Sequence, residues 1–441
     1  MADNTMTDAA RLGTDAVHPI ALDPEAPLTD LEWLDDAIGD ARVVAIGESA
    51  HYNHEHYRLR QRMLRYLVER HGFSAYVLES GFTEAWTVDE WIHGGRQPLG
   101  TVLATGTTSL MGLWTEARAH LSWMRRHNET AATPVDFRGL DLSGSNVSLL
   151  PSLDYVIAYL AKADPDFRVD PAVRDTAAEF AAPSAFSYPA MLPAYTGLDP
   201  ARRDALTAGL AALAVRFSAL RLDYARRTSA EDYRRALHAL QLTITLDAFA
   251  RTLIRGDQRE LLSMRDAAQA DTVDWILRRE GRILVAAHNG HIHRQTTVYA
   301  PGMEPATPLG LHLADRLGDD YLVIGATSGS GRTLNSGSDF YTGTLFTDLE
   351  PPRPGSLDAL MHASHDEPFL TDLRTLSAAD TAAVRAATEQ RLGPNYYPVR
   401  PLDAFDLVVH LPRVTEATPD AEAIAASPED VRRAFGHWAN H

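Results

Sequence analysis

Apolar residues along the 441-residue chain fall into two kinds of pattern. Short strand-like runs recur at 43–46, 76–78, 135–140, 283–287, 321–324 and 407–411, unbroken at 43–46 and 283–287. A run of this length, closed by a turn residue, is what a strand buried on both faces requires. Between the first two runs, from His54 to Arg70, the residues Tyr57, Met63, Leu64, Leu67 and Val68 recur at helical spacing. Gly72 follows as a helix stop. Strand and helix in alternation predict an α/β fold, a mostly parallel sheet flanked by helices.

From about Pro151 to Arg279 the pattern changes. Strand-like runs vanish, and long helical periodicities replace them at 203–225 and 230–252. An all-helical insertion lobe over the active-site edge of the sheet is expected there. The predicted organisation is a flexible N-terminal tail at 1–15, an α/β core from 16–150 and 280–441, and a helical insertion at 151–279 forming a cleft wall. The proline-rich stretches 182–193 and 351–354 read as loops or boundaries, as does the glycine-serine stretch 328–331. The stretch 427–438 reads as a short closing helix.

The strand ends carry the chemistry. The first run stops at Gly47 and at once presents Glu48 and His51; the run at 283–287 ends in His288-Asn289-Gly290-His291. Ligands of open α/β sheets sit just beyond the carboxyl ends of such strands. A histidine with a carboxylate three residues away has the pairing that fixes a tautomer and raises basicity for general-base work. The bland alternative makes Glu48 a helix cap. Glu79 and Asp141 close two further strands in the same manner. A carboxylate after a buried strand is costly unless it is solvated or paired.

Arg60 is a candidate for holding a substrate oxygen, weighed against a solvated face shared with Arg58, Arg62 and Arg65. Glu55 lies on the same helix. Asn289-Gly290 reads as a turn flanked by the rings of His288 and His291. His293 is expected to point away, and His54 and His56 to lie on the surface. Arg265-Asp266 reads as preceding a helix, with Asp266 as its start.

Composition removes several chemistries. There is no cysteine, which excludes thiol nucleophiles, disulfides and thiolate metal sites. Lys162 is the lone lysine, in a polar context, so a lysine Schiff base or Walker-type phosphate loop has no suitable residue. No G-x-S-x-G elbow occurs, which leaves water activated by histidine as the simpler route to hydrolysis. A net charge of −18 without a basic patch argues against nucleic acid as a partner. No stretch approaches the ~20 apolar residues of a membrane span, and the start lacks the features of a secretory signal, so no membrane partner and a cytoplasmic location are expected.

Taken in order, Gly47-Glu48-Ser49-Ala50-His51, Glu55, Arg60, Leu78-Glu79, Gly139-Leu140-Asp141, Arg265-Asp266 and His288-Asn289-Gly290-His291 resemble the erythromycin esterase family, a group that also takes in proteins named for succinoglycan biosynthesis. The likeness runs from about Val43 to 405–411. It implies an α/β core with a helical insertion, and hydrolysis of a macrolide lactone by water without a covalent intermediate. By that resemblance His51 is the general base, Glu48 orients it, and Arg60, Glu79 and His288 line the catalytic pocket. Glu55, His291, Asp141 and Arg265 are supporting or substrate-binding residues; no metal or other cofactor is called for. Tyr52 stands where the family often has glycine, and its ring would narrow the mouth.

Three readings follow. The first is a hydrolase that attacks an ester or macrolactone carbonyl with His51-activated water. The second is a biosynthetic enzyme using the same acid/base set for cyclisation, dehydration or another proton transfer on a polyketide-like molecule. The third binds a metal or small molecule through Glu48, His51, His288 and His291 without turnover. In the first two, the partner is a small-molecule substrate.

Overall fold

The computed structural model describes residues 10–298 and 304–439, so positions 1–9 of the expected tail lie outside the described residues. Eleven strands occur among them: β1 (His18–Pro19), β2 (Val43–Ile46), β3 (Ala75–Gly81), β4 (Asp136–Asp141), β5 (Ile283–Ala286), β6 (Tyr321–Leu334), β7 (Phe346–Leu349), β8 (Phe369–Asp372), β9 (Glu389–Leu392), β10 (Asn395–Pro398) and β11 (Leu407–Val414). The chain divides into two compact units. The first takes the chain up to Ser74 with Gly281–Gly337 and Leu345–Thr418; the second takes Ala75–Glu280, Ser338–Thr344 and the chain from Pro419.

In the first unit the strands hydrogen-bond in the order β1-β8-β11-β6-β2-β5, with β7 also against β6. The four strands β11, β6, β2 and β5 are parallel, whereas β1–β8, β8–β11 and β6–β7 are antiparallel. All four residues of β2 are buried, which explains its unbroken Val-Val-Ala-Ile run. The register sets Ile46 beside both Ala286 and Ile324. The chain therefore leaves β2 and β5 at the same level, and the motifs after Ile46 and Ala286 emerge side by side.

β6 runs ten residues past the expected end at Ile324. Its glycine-serine stretch is strand rather than loop, because β11 stays paired with it as far as Gly331 beside Val414. A Cβ on Gly331 would collide with the Val414 carbonyl, so the bareness that suggested a loop is what lets two backbones approach. The helix His54–His71 follows β2, buries Tyr57, Leu59, Met63, Leu64 and Leu67, and stops at Gly72 in the left-handed region (φ 67°).

In the second unit β3 and β4 run parallel, with Leu78 beside Gly139 and a register shift before Gly81 meets Asp141. From Leu150 to Leu277 the described residues form helices and one short turn of helix, with no strand. Asp170 and Asp199 each accept from the backbone two residues on and are followed by proline, a strong helix start. The periodicity expected over 203–225 is two helices, Pro200–Ala219 and Arg221–Arg227, bent by 76°. The proline-rich stretch is not all loop. Tyr188–Gly197 is helical, with a proline in its first turn and Pro193 inside. Among the described residues no single helix is long and apolar enough to cross a membrane.

Candidate active site

Glu48 leaves β2 fully buried, and its Oε1 meets His51 Nδ1 at 2.5 Å and Arg60 Nη2 at 3.0 Å. Burial alone would raise the Glu48 carboxyl. The Arg60 guanidinium and the His51 imidazole outweigh it and hold the group down at about 2. Arg60 is itself buried rather than part of a solvated face, which overturns that alternative for this arginine. His51 remains partly exposed. An imidazole whose Nδ1 donates to a buried carboxylate keeps its Nε2 lone pair for proton transfer.

The His288 ring stands 5.3 Å from that of His51, centroid to centroid. Asn289-Gly290 is not a hairpin-like turn. It opens a one-turn helix, Asn289–Ile292, with His288 as its cap; Gly290 donates its backbone N–H to His288 Nδ1 at 3.2 Å. His291 lies on the same turn, its ring 6.5 Å from that of His288.

Asn289 ties the two strand ends together. Its side chain donates to the Ala326 carbonyl and accepts from the Ala326 N–H, and its own N–H donates to the Glu48 carbonyl at 3.0 Å. Its amide oxygen occupies the space a Cβ on Gly47 would need. Glycine is thus required there by close approach, not by an unusual φ. Sequence reasoning missed Asn289, because an Asn-Gly pair reads first as a turn.

It also misplaced His56, expected on the surface. His56 is fully buried, accepts from the Ser49 N–H through Nε2 at 3.4 Å, and is pushed down to about 3 by burial. It is therefore neutral. Burial of its helix face could have been read from the helical spacing, since His56 adjoins Tyr57 and sits one turn before Leu59 and Arg60. His54 is partly exposed and contacts Arg58. Glu55 is turned toward Thr415, from which both its oxygens accept, one from the backbone N–H at 2.7 Å and one from the hydroxyl at 2.8 Å. His293 bonds Thr297 Oγ1 at 2.7 Å.

Tyr52, directly after His51, has φ 64° and is buried, its ring centroid 5.6 Å from that of His51. The left-handed region favours glycine. A bulky residue held there implies that its surroundings enforce the conformation.

The second unit assembles Glu79, Asp141 and Arg265. Arg265 Nη2 donates to Glu79 Oε1 at 2.9 Å and to Asp141 Oδ2 at 2.6 Å, while Nε donates to Asp141 Oδ1 at 2.9 Å. Gln269, one turn on, adds a donor to Asp141 at 3.1 Å. Burial opposes the charge, yet Asp141 and Glu79 hold the guanidinium well above its usual range. Arg265 and Asp266 do not precede a helix; they lie inside Gln258–Leu277, and Asp266 is buried.

The sequence model of the family described as "Erythromycin esterase" matches residues 68–414. The erythromycin esterase type II of Escherichia coli is 29% identical over 354 residues, covering 76% of this chain and 81% of that protein. The type I enzyme of Escherichia coli is 28% identical over 311 residues, 68% of this chain and 72% of that one. In fold, the chain is similar to a mutant of the erythromycin esterase EreC solved in its open conformation, with a TM-score of 0.75. EreC is 21% identical, with 91% of this chain and 98% of that one covered. With a family match of that extent, the chain belongs to the erythromycin esterase family.

Proposed function

We propose that this protein is an esterase-like hydrolase in which His51 activates water against the carbonyl of an ester or macrolactone. The observation that carries the reading is the contact of the His51 Nδ1 with a buried carboxylate that Arg60 keeps ionised. Glu48 stabilises the imidazolium that forms when Nε2 takes a proton from water. The hydroxide adds to the carbonyl carbon, and the tetrahedral intermediate collapses with departure of the alkoxide, which recovers the proton from His51.

His288 is suited to the developing oxyanion. Because its Nδ1 accepts from Gly290, its proton lies on Nε2, which makes that nitrogen a donor. Arg60, engaged with Glu48, acts by holding charge rather than by touching substrate. Glu79 and Asp141 are proposed as pocket acids held in place by Arg265. Family membership supports ester hydrolysis; the macrolide class is carried over from the names of the relatives.

The test is a panel of macrolides and simpler lactones incubated with the protein in isotopically labelled water and followed by mass. The expected product is a ring-opened hydroxy acid with one labelled oxygen in its carboxylate. Turnover that yields an unlabelled, dehydrated or rearranged product would replace hydrolysis with the biosynthetic alternative.

A further inference from the structure

In the second unit the helix Ala85–Ile92 packs against β4, and a set of metal-type donors collects where the helix ends. Asp89 and His93 stand four residues apart, so their side chains share a face. Asp136 is the first residue of β4. One ligand atom from each of the three lies within 4.8 Å of the other two. His93 is exposed, which leaves the group open to an ion from solvent. Asp141 closes the strand that Asp136 opens, so this set sits at the far end of β4 from that pocket acid.

The imidazole is oriented as a ligand would be. His93 Nδ1 donates to the Asp89 carbonyl at 2.8 Å, and Nε2 faces Asp136 Oδ1 at 3.2 Å. Metal-bound histidines are usually held by such a donation from the other ring nitrogen to a backbone carbonyl. With the neutral ring's proton on Nδ1, the Nε2 lone pair meets a carboxylate oxygen, acceptor against acceptor. A cation between them removes the conflict. Two ligands of a tetrahedral zinc, each at about 2.0–2.2 Å, stand roughly 3.3 Å apart, close to the spacing found.

The surrounding charge agrees. The buried guanidinium of Arg138 meets Asp89 Oδ2 at 2.5 Å, Asp136 Oδ2, and Glu280 Oε1 at 3.4 Å. Holding both Oδ2 atoms leaves the Oδ1 of each aspartate on the imidazole side. Asp89 Oδ1 also accepts from the Phe137 N–H at 2.9 Å and keeps a second lone pair. Three carboxylates share one guanidinium, a deficit that a divalent ion cancels, while the neighbouring Arg279 pairs with Glu231. Burial raises the Asp136 carboxyl; Glu280 adds to the shift and Arg138 offsets only part of it.

We propose that Asp89, His93 and Asp136 bind a zinc-type divalent ion, with water in the remaining position, pinning the end of the helix to the start of β4. The site does not depend on the reaction proposed for His51.

The test titrates zinc sulfate, and separately magnesium sulfate, into chelator-treated full-length protein by calorimetry. Saturable zinc binding is expected, with magnesium weaker by at least roughly tenfold, because it favours all-oxygen sites and retains its waters. His93→Gln alters an exposed side chain and should leave circular dichroism unchanged, yet cost one zinc equivalent or weaken it by roughly tenfold or more. Asp136→Asn, which keeps an acceptor for Arg138, should weaken zinc by a similar factor. His51→Ala should retain this equivalent, which separates it from any ion held elsewhere. Bound zinc should raise the urea midpoint of the wild type and leave that of His93→Gln unmoved. Absence of saturable zinc, undiminished binding in His93→Gln or Asp136→Asn, loss of all zinc in His51→Ala, equal affinity for magnesium, or an unmoved wild-type midpoint would each overturn the proposal.

Discussion

Two clusters of charge, one in each unit, solve the same problem in opposite ways. Around Glu48 the balancing groups are an arginine and a histidine, and the histidine can change its protonation near neutral pH. Around Arg265 the balance is struck between two carboxylates and a guanidinium, which keeps its charge across the same range. The first arrangement can move a proton, whereas the second fixes charges in place. Burial alone therefore does not mark a catalytic group; the titration range of its partner does.

The contrast is sharpest in what each cluster should lose on mutation. Glu48→Gln removes the charge that orients and stabilises His51, and steady-state assays should show kcat reduced by roughly 10²–10⁴-fold, the size of a general-base contribution. Arg265→Met instead leaves Glu79 and Asp141 without their shared cation. Urea denaturation should report about 3–5 kcal/mol less stability, the usual cost of stranding a buried charge. A stable Arg265→Met, or a Glu48→Gln that turns over normally, would erase the distinction.

Smaller effects probe the scaffold of the first cluster. Gly47→Ala should push Asn289 from the Ala326 backbone and cost about 1–3 kcal/mol, an overpacking penalty. Activity should fall with it, because the same residue tethers the Glu48 carbonyl. Acidification gives the finest comparison. His56 stays neutral in the folded protein down to about 3, while an unfolded histidine protonates near 6.5. The unfolded state thus binds the extra proton between those values, so stability falls as pH drops from 6.5 toward 3, at a slope of up to roughly 1.4 kcal/mol per pH unit. Glu48, lowered from 4.5 to about 2, has the same sign: its contribution is whole above 4.5 and is lost as pH falls through about 2. His56→Gln should flatten the upper part of the slope, between 6.5 and 4.5, in chemical-denaturation midpoints taken across pH.

How much of this was legible in the sequence depended on how each segment is buried. The core strands β2 and β5 announced themselves because parallel neighbours bury every residue, leaving unbroken apolar runs. The strand β9 gave no such signal. Its Glu-Gln-Arg-Leu is polar, yet Gln390 and Arg391 are buried because their side chains bond backbone carbonyls, Gln390 that of Ala326 and Arg391 those of Ser328 and Glu350. Hydrophobic patterning cannot find a strand whose polar side chains are satisfied inside. The pairing of Glu48 with His51 was readable from three-residue spacing, whereas the Arg265 cluster joins residues 124 and 186 positions apart. Nothing local in the sequence announces such a contact. Asp266 was misread for a related reason: an acid looks like a cap until the helix is seen to begin eight residues earlier.

The central claim is that the imidazole of residue 51 takes the proton from water. The most direct test is the rate of lactone opening by wild type and His51→Ala, with fold verified by denaturation midpoint. An unchanged midpoint and a kcat lower by roughly 10²–10⁴-fold are predicted. A folded His51→Ala protein that opens the lactone at the wild-type rate would contradict the claim.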